Sequence, residues 1–352
     1  MPSQILEEAV QARADGIAGH ISLDRPKAIH ALTLGMCRAM RRALDEWESD
    51  PHIALVMIDH AGGRGFCAGG DVAKVRRSAL DDGGMSGRAF FHAEYRLNYR
   101  LFTYPKPVVA FMDGITMGGG VGLSQPARFR VATENTRFAM PETAIGLFPD
   151  VGGGWYLSRL QGRLGQFLAL TGARLDGAEC LWAGLATHYL PSERLEDAKQ
   201  RLAAGHEIAS VLNDLSVKPP EPRIAVQAAE IARHFASDSL EDILHSLADD
   251  PSDWALDQLA LLQTRSPTSC KVALRQLAIG AGLETFADEM VMEYRLAART
   301  ILQPDFAEGV RAVLVDKDNS PHWHPAASQD VTEAMLDAIF AALPAEEEWT
   351  PQ

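Results

Sequence analysis

The 352-residue chain predicts an α/β fold, with a mostly parallel sheet followed by a mainly helical C-terminal region. Three observations predict it. Short apolar runs bounded by Gly, Pro or Asp recur through residues 1–195, a helix-like stretch separates the first two, and strand signals fade after Pro191. Fully buried parallel strands read as such runs, and strand–helix–strand succession builds βαβ units.

Taken in order, HISL (20–23), ALVMID (54–59), PVVAFMDG (107–114), FRVAT (129–133) and ATHYL (186–190) read as strands. Between the first two, Thr33 is placed to cap a helix in which Leu34, Cys37, Met40, Leu44 and Trp47 recur at helical spacing. Beyond Pro191, the stretches 195–213, 223–236, 239–248, 252–264 and 269–300 carry helical patterns. KPPEP (218–222), DDPSD (249–253) and SPTS (266–269) break them. A boundary is expected near 195. Residues 1–195 then form the core carrying the site, and 196–352 a helical region that completes it and offers surface for homo-oligomer contacts. The last ten residues, LPAEEEWTPQ, are expected to fray.

Composition narrows the function. Hydrophobic residues make up 47 % and charged residues 23 %, the balance of a globular chain with a packed core. A net charge of −14 without a basic tract opposes nucleic-acid binding. No apolar run approaches the ~18–20 residues of a membrane helix, and the acidic start MPSQILEEAV does not read as a signal or transit peptide. The four cysteines (37, 67, 180 and 270) lie far apart, and His20, His30, His60, His92 and His188 show no ligand spacing. Neither a disulfide framework nor a metal site is expected. These points set the expectation of a cytoplasmic protein that acts on a small molecule, without nucleic acid or membrane as partner.

Two glycine clusters invite a nucleotide reading. Gly63-x-Gly65-x-x-Ala68 formally matches a dinucleotide pattern, and Met117-Gly118-Gly119-Gly120-Val121-Gly122 looks suited to phosphate. The acidic residue expected about 20 positions on is missing, as is a phosphate-loop lysine. Each cluster instead follows an apolar run and precedes a helix-like stretch. Glycine permits sharp turns and close approach to backbone N–H groups. Two such loops can aim two N–H groups at one oxygen, which is how an oxyanion hole is built. Read alone, they are more simply two ordinary tight turns.

Residues 138–154, FAMPETAIGLFPDVGGG, hold the acids Glu142 and Asp150 in an otherwise apolar, Gly/Pro-rich stretch. Glu142 after Pro141 fits a helix's first turn, and Asp150 could cap the next helix. Unpaired carboxylates are nevertheless costly in such surroundings. Converging on one pocket, they suit general acid–base work on an acyl group. Cys67, with no histidine partner nearby in sequence, reads as a packing residue.

Phe66-Cys67-Ala68-Gly69-Gly70-Asp71, Met117-Gly118-Gly119-Gly120 and Pro141-Glu142-Thr143 with Gly146 resemble the crotonase (enoyl-CoA hydratase/isomerase) superfamily. Within it, ITMGGGVGLS, FAMPETAIGLFPDVGGG, LTGARL, AGLATHYL, SPTS and EGVRAVLVDKD are similar to the 3-hydroxyisobutyryl-CoA hydrolase family, over about residues 15–325. The resemblance implies a ββα-repeat spiral core and hydrolysis of a short β-hydroxyacyl-CoA in valine breakdown. Ala68 and Gly119 would supply the oxyanion N–H groups, and Gly69, Gly70 and Asp71 would border the CoA moiety. Glu142 would be the catalytic carboxylate, Asp150 a second catalytic or orienting acid, and Glu94 would line the acyl pocket. No cofactor is implied, since CoA is part of the substrate. Hydratases of the superfamily carry a second glutamate where this chain has Gly122, and glycine where it has Asp150. The alternatives are an enoyl-CoA hydratase or isomerase acting through an enolate, and an inactive acyl-CoA-binding scaffold.

Overall fold

The computed structural model describes Ile5–Glu7 and residues 9–351. The chain divides into two compact units, and each is discontinuous. One comprises residues 1–70, 96–139 and 174–225; the other comprises 71–95, 140–173 and 226–352. The division expected near 195 is corrected accordingly. It followed where strands give way to helices along the chain, whereas the units are set by which segments pack together.

The first unit holds every described strand. The elements are β1 (Ile5–Glu7), β2 (Val10–Asp15), β3 (Ala18–Leu23), β4 (Leu55–His60), β5 (Val108–Met112), β6 (Ile115–Met117), β7 (Phe129–Ala132), β8 (Arg137–Ala139), β9 (Leu175–Asp176) and β10 (His188–Tyr189). Seven form one sheet in the order β1-β2-β3-β4-β5-β7-β10, and β6-β8-β9 form a second. The five runs expected from sequence are β3, β4, β5, β7 and β10, and all four pairings among them are parallel. The β1–β2–β3 meander is antiparallel and was not anticipated. Its strand VQARAD is half-exposed and charged, so it lacks the apolar run that marks the buried strands.

Register places Ala18, Leu55, Met57, Val109, Phe111 and Val131 on one face of the sheet. There they form a core with the helices Leu195–Ala203 and Ile208–Leu215. On the opposite face lies the helix Leu34–Ser49, capped by Thr33 as expected and burying Cys37, Met40, Leu44 and Trp47. Trp47 sits so close that a Cβ at Gly19 would meet its ring at 2.3 Å. Where the first face runs out of apolar residues, Asp59 is buried between His20 Nε2 (3.0 Å) and Lys199 Nζ (2.9 Å).

The second unit is built of helices and loops, with no strand among its described residues. Its main elements include Val72–Asp81, Gly153–Ser158, Leu164–Thr171, Leu240–Ala248, Asp253–Leu262, Pro267–Gly280 and Phe286–Thr300. The helix Met85–Phe102 belongs to it as far as Tyr95. The single stretch read at 269–300 is two helices, broken at 281–285. Residues 343–351, the described part of the C-terminal decapeptide, are not frayed as expected: Trp349 is 2 % exposed, and Glu348 accepts from Arg295 Nε at 2.8 Å. One buried indole and one ion pair dock a segment whose composition alone reads as disordered.

Candidate active site

In the sheet unit, the two glycine clusters form one backbone assembly. Residues 67–70 run as an isolated strand-like segment: Cys67 N–H donates to Ile115 O and Met117 N–H to Cys67 O, both at 2.9 Å, and Leu32 N–H donates to Gly69 O at 2.8 Å. Gly118 adopts φ +46°, which only glycine takes cheaply with its ψ of −117°, and so turns the chain into the helix Gly119–Ser124. A Cβ at Gly120 would lie 2.4 Å from Cys67 O, and one at Gly69, φ +114°, would lie 3.8 Å from Gly119 N. Gly120 is therefore required by the close approach of two backbones, and Gly69 by its φ.

Of the two expected oxyanion donors, Gly119 N–H, in the helix's first turn, makes no hydrogen bond among the described residues. Ala68 does not fit. Its N–H already donates to Ile29 O at 2.9 Å, an edge bond of the strand-like segment, so it has no proton to offer a ligand. Two residues on, past Gly69 with its φ of +114°, Gly70 N–H has no partner among the described residues. Cys67 is fully buried, with Sγ 3.4 Å from His30 O, in keeping with a packing role. Asp71, which begins the second unit, caps the helix Val72–Asp81 by accepting from Lys74 N–H at 3.4 Å.

In the helical unit, Glu94, Glu142 and Asp150 are 1 %, 5 % and 4 % exposed. Glu142 heads the 3-10 turn Glu142–Ile145, not an α-helix, and Gly146 closes the turn with φ +70°. Thr143 braces it: its hydroxyl donates to Leu170 O at 3.0 Å, and its carbonyl accepts from Ser266 N–H at 3.1 Å. Gly146 is pressed on the Asp305 backbone, 2.3 Å from where a Cβ would stand. Glu142 Oε2 and Glu94 Oε1 are buried without a hydrogen-bond partner. Such a group costs roughly 1–3 kcal/mol or more, so neither atom adds to the stability of the fold.

Asp150 does not cap the following helix; Gly152 takes that position. Asp150 Oδ2 instead accepts from the Tyr95 hydroxyl at 2.9 Å. Tyr95 lies edge-on to Tyr294, 6.4 Å between centroids, which fixes its ring. After Asp150, Val151 takes φ +56°, a left-handed conformation costing a β-branched residue about 1–3 kcal/mol. The turn is held by Glu293, whose carboxylate accepts from Gly152 N–H (2.7 Å), Gly154 N–H (3.2 Å) and Gln276 Nε2 (3.0 Å).

Burial pushes Glu94 well above the usual carboxylate range, and the charges of Asp150 and Glu142 add to it. Burial and Asp150 do the same to Glu142. Asp150 is pushed up by burial to about 7, although the Tyr95 hydroxyl favours its charged form. Three acids in one dry cluster cannot all ionise at neutral pH.

Sequence reading missed Tyr95, Gln276, Glu289 and Glu293. A signal for the last two exists: both fall on the buried stripe of Phe286–Thr300 with Met290, Leu296 and Ala297, where an acid is out of place.

Comparison with known proteins sets this geometry in context. The family model described as enoyl-CoA hydratase/isomerase matches residues 18–340. The 3-hydroxyisobutyryl-CoA hydrolase, mitochondrial, of Xenopus laevis is 47 % identical over 341 residues, 93 % of this chain and 87 % of the relative. The human protein of that name is 46 % identical over 346 residues, covering 96 % and 89 %. A crystal structure of a carnitinyl-CoA dehydratase from Mycobacterium thermoresistibile superposes with a TM-score of 0.93 at 39 % identity, covering 98 % of this chain and 99 % of that one. The expected cytoplasmic location is overturned by these relatives, which are named as mitochondrial proteins. The fold expectation stands. Model match, relatives and superposition agree with the glycine loops and the buried acids, and the chain belongs to the enoyl-CoA hydratase/isomerase family of the crotonase superfamily.

Proposed function

We propose that the protein hydrolyses short β-hydroxyacyl-CoA thioesters, with 3-hydroxyisobutyryl-CoA as its substrate in valine catabolism. The observation that carries this reading is the pair Glu142 and Asp150, both buried, Glu142 with an unpartnered oxygen and Asp150 held by Tyr95. The hydrolases named above, at 46 % and 47 % identity, support it.

The chemistry follows from the groups. A thioester carbonyl becomes an oxyanion on attack, and Gly119 N–H with Gly70 N–H, in place of Ala68, would stabilise that charge. Gly69 and Asp71 keep their proposed place beside the CoA moiety. Glu142, in its charged form, either takes a proton from water or attacks the carbonyl carbon to give a mixed anhydride that water then opens. Asp150 and Glu94 orient the β-hydroxyl and the water. No cofactor or metal is required, because the thioester is already activated and CoA leaves as the thiol.

A second reading, dehydration or hydration through an enolate, is favoured by the superposed carnitinyl-CoA dehydratase. Gly122 weighs against it. It contributes only backbone, its carbonyl accepting from Asn98 Nδ2 at 3.0 Å, where hydratases of the superfamily place a glutamate.

Glu142→Gln tests the assignment. The amide can neither accept a proton nor attack. kcat for 3-hydroxyisobutyryl-CoA should fall by about 10²–10⁴ while the fold and KM are kept. Turnover near that of the unaltered protein would show that the reacting carboxylate lies elsewhere.

A further inference from the structure

We propose that Glu293 is a positioning residue for Asp150, acting through the backbone turn that follows it. This rests on the reading of Asp150 as a working residue of the active site.

Glu293 touches neither Asp150's carboxylate nor Glu142 by any hydrogen bond. Its two oxygens instead collect Gly152 N–H, Gly154 N–H and Gln276 Nε2. Gln276 Nε2 also donates to Pro149 O at 2.8 Å, so carboxylate and amide together grip the chain on both sides of Asp150. Between those grips lie Val151 at φ +56° and Gly152 at φ +91°. A left-handed valine persists only where its surroundings over-determine it. Gly154 is required by the same device, since a Cβ there would stand 2.1 Å from Glu289 Oε1.

One helical turn before Glu293, Glu289 is buried with both oxygens unpartnered. Burial raises both acids, and the charge of Glu289 raises Glu293 further, against the lowering effect of the Gly152 and Gly154 N–H groups. The three N–H donors occupy acceptor sites on both oxygens of the Glu293 side chain. A side chain with two acceptor oxygens is therefore what the turn needs. A glutamine has one acceptor oxygen and would set an NH2 group against one of the three donors.

The test is a double-mutant cycle on 3-hydroxyisobutyryl-CoA, run well below each variant's melting temperature. Glu293→Gln should lower kcat by about 10–100-fold, as small misplacements of a working group do, with KM within about threefold. In an Asp150→Asn background, Glu293→Gln should cost nothing further, because the residue it positions is gone. A purely structural role predicts losses that multiply. If Glu293→Gln does not fold, Gln276→Leu removes the tether to Pro149 and should give a smaller loss with the same non-additivity. A kcat within twofold of the parent for the folded variant, or losses that multiply in the double variant, would overturn the proposal. Asp150→Asn at parental activity would instead refute the reading of Asp150, and this proposal with it.

Discussion

At the scale of the residue, the site depends on atoms left without partners and on one that is partnered. Among the described residues Glu142 Oε2 has no hydrogen bond, whereas Asp150 accepts from the Tyr95 hydroxyl, a difference on which their proposed roles rest. Tyr95 is itself pushed well above the usual phenol range, first by burial and then by Asp150, so it remains a donor at all working pH values. Tyr95→Phe removes the bond that favours the charged form of Asp150. The limb of the kcat–pH profile belonging to Asp150, expected near 7, should move to higher pH, with kcat down about tenfold. An unmoved profile would show that Asp150 does not titrate in the rate-determining state. Ala68 shows where motif reading fails. A motif names the loop, while hydrogen bonding decides which of its N–H groups is free. Glu94 shows the converse: its place among buried acids could be stated only from the resemblance, since a lone Glu in FFHAEYRLN reads as a solvated helix face.

At the scale of the element, the five buried strands and the capped helix Leu34–Ser49 were legible because each buries an apolar pattern with its own period. The two-residue strands β9 and β10 and the 3-10 turn at Glu142 sit at or below the length at which periodicity exists. Of these, only β10 lay within a longer apolar run. The acid-bearing turns carry an energetic cost that can be measured. Burial pushes Asp150 up to about 7 in the fold, from an ordinary value of 3.8. A raised acid pKa leaves the folded state unpenalised below about pH 4, and the penalty grows until it is complete near 7. Asp150→Asn removes it, and Asn can still accept from Tyr95. Its melting temperature should exceed the parent's by roughly 5 °C or more at pH 8, with the gap narrowing toward pH 4. A variant less stable than the parent at pH 8 would mean that the charge is better compensated than its surroundings suggest.

At the scale of the whole molecule, the sequence order of strands then helices was correctly read, but not the interleaving of two units, since long-range packing leaves no periodic mark. One long-range device, joining β3 and β4 to the helix Leu195–Ala203, is a source of acid sensitivity. Burial alone would raise Asp59, yet the hydrogen bonds and charges of His20 and Lys199 outweigh it and hold Asp59 at about 2. A depressed acid pKa stabilises the fold above 3.8 and loses that contribution as pH falls toward 2. The parent should lose about 2 kcal/mol more than Asp59→Asn between pH 5 and pH 2 in urea unfolding. Parallel curves would contradict the ion-pair account.

The central claim is that this member of the family breaks a thioester rather than adding water to an alkene. Its most direct test is to supply the intact protein separately with 3-hydroxyisobutyryl-CoA and crotonyl-CoA, following free thiol and enoyl absorbance together. The account requires rapid thiol release from 3-hydroxyisobutyryl-CoA and little loss of enoyl absorbance from crotonyl-CoA. Efficient hydration of crotonyl-CoA with no thiol released from either ester would contradict it.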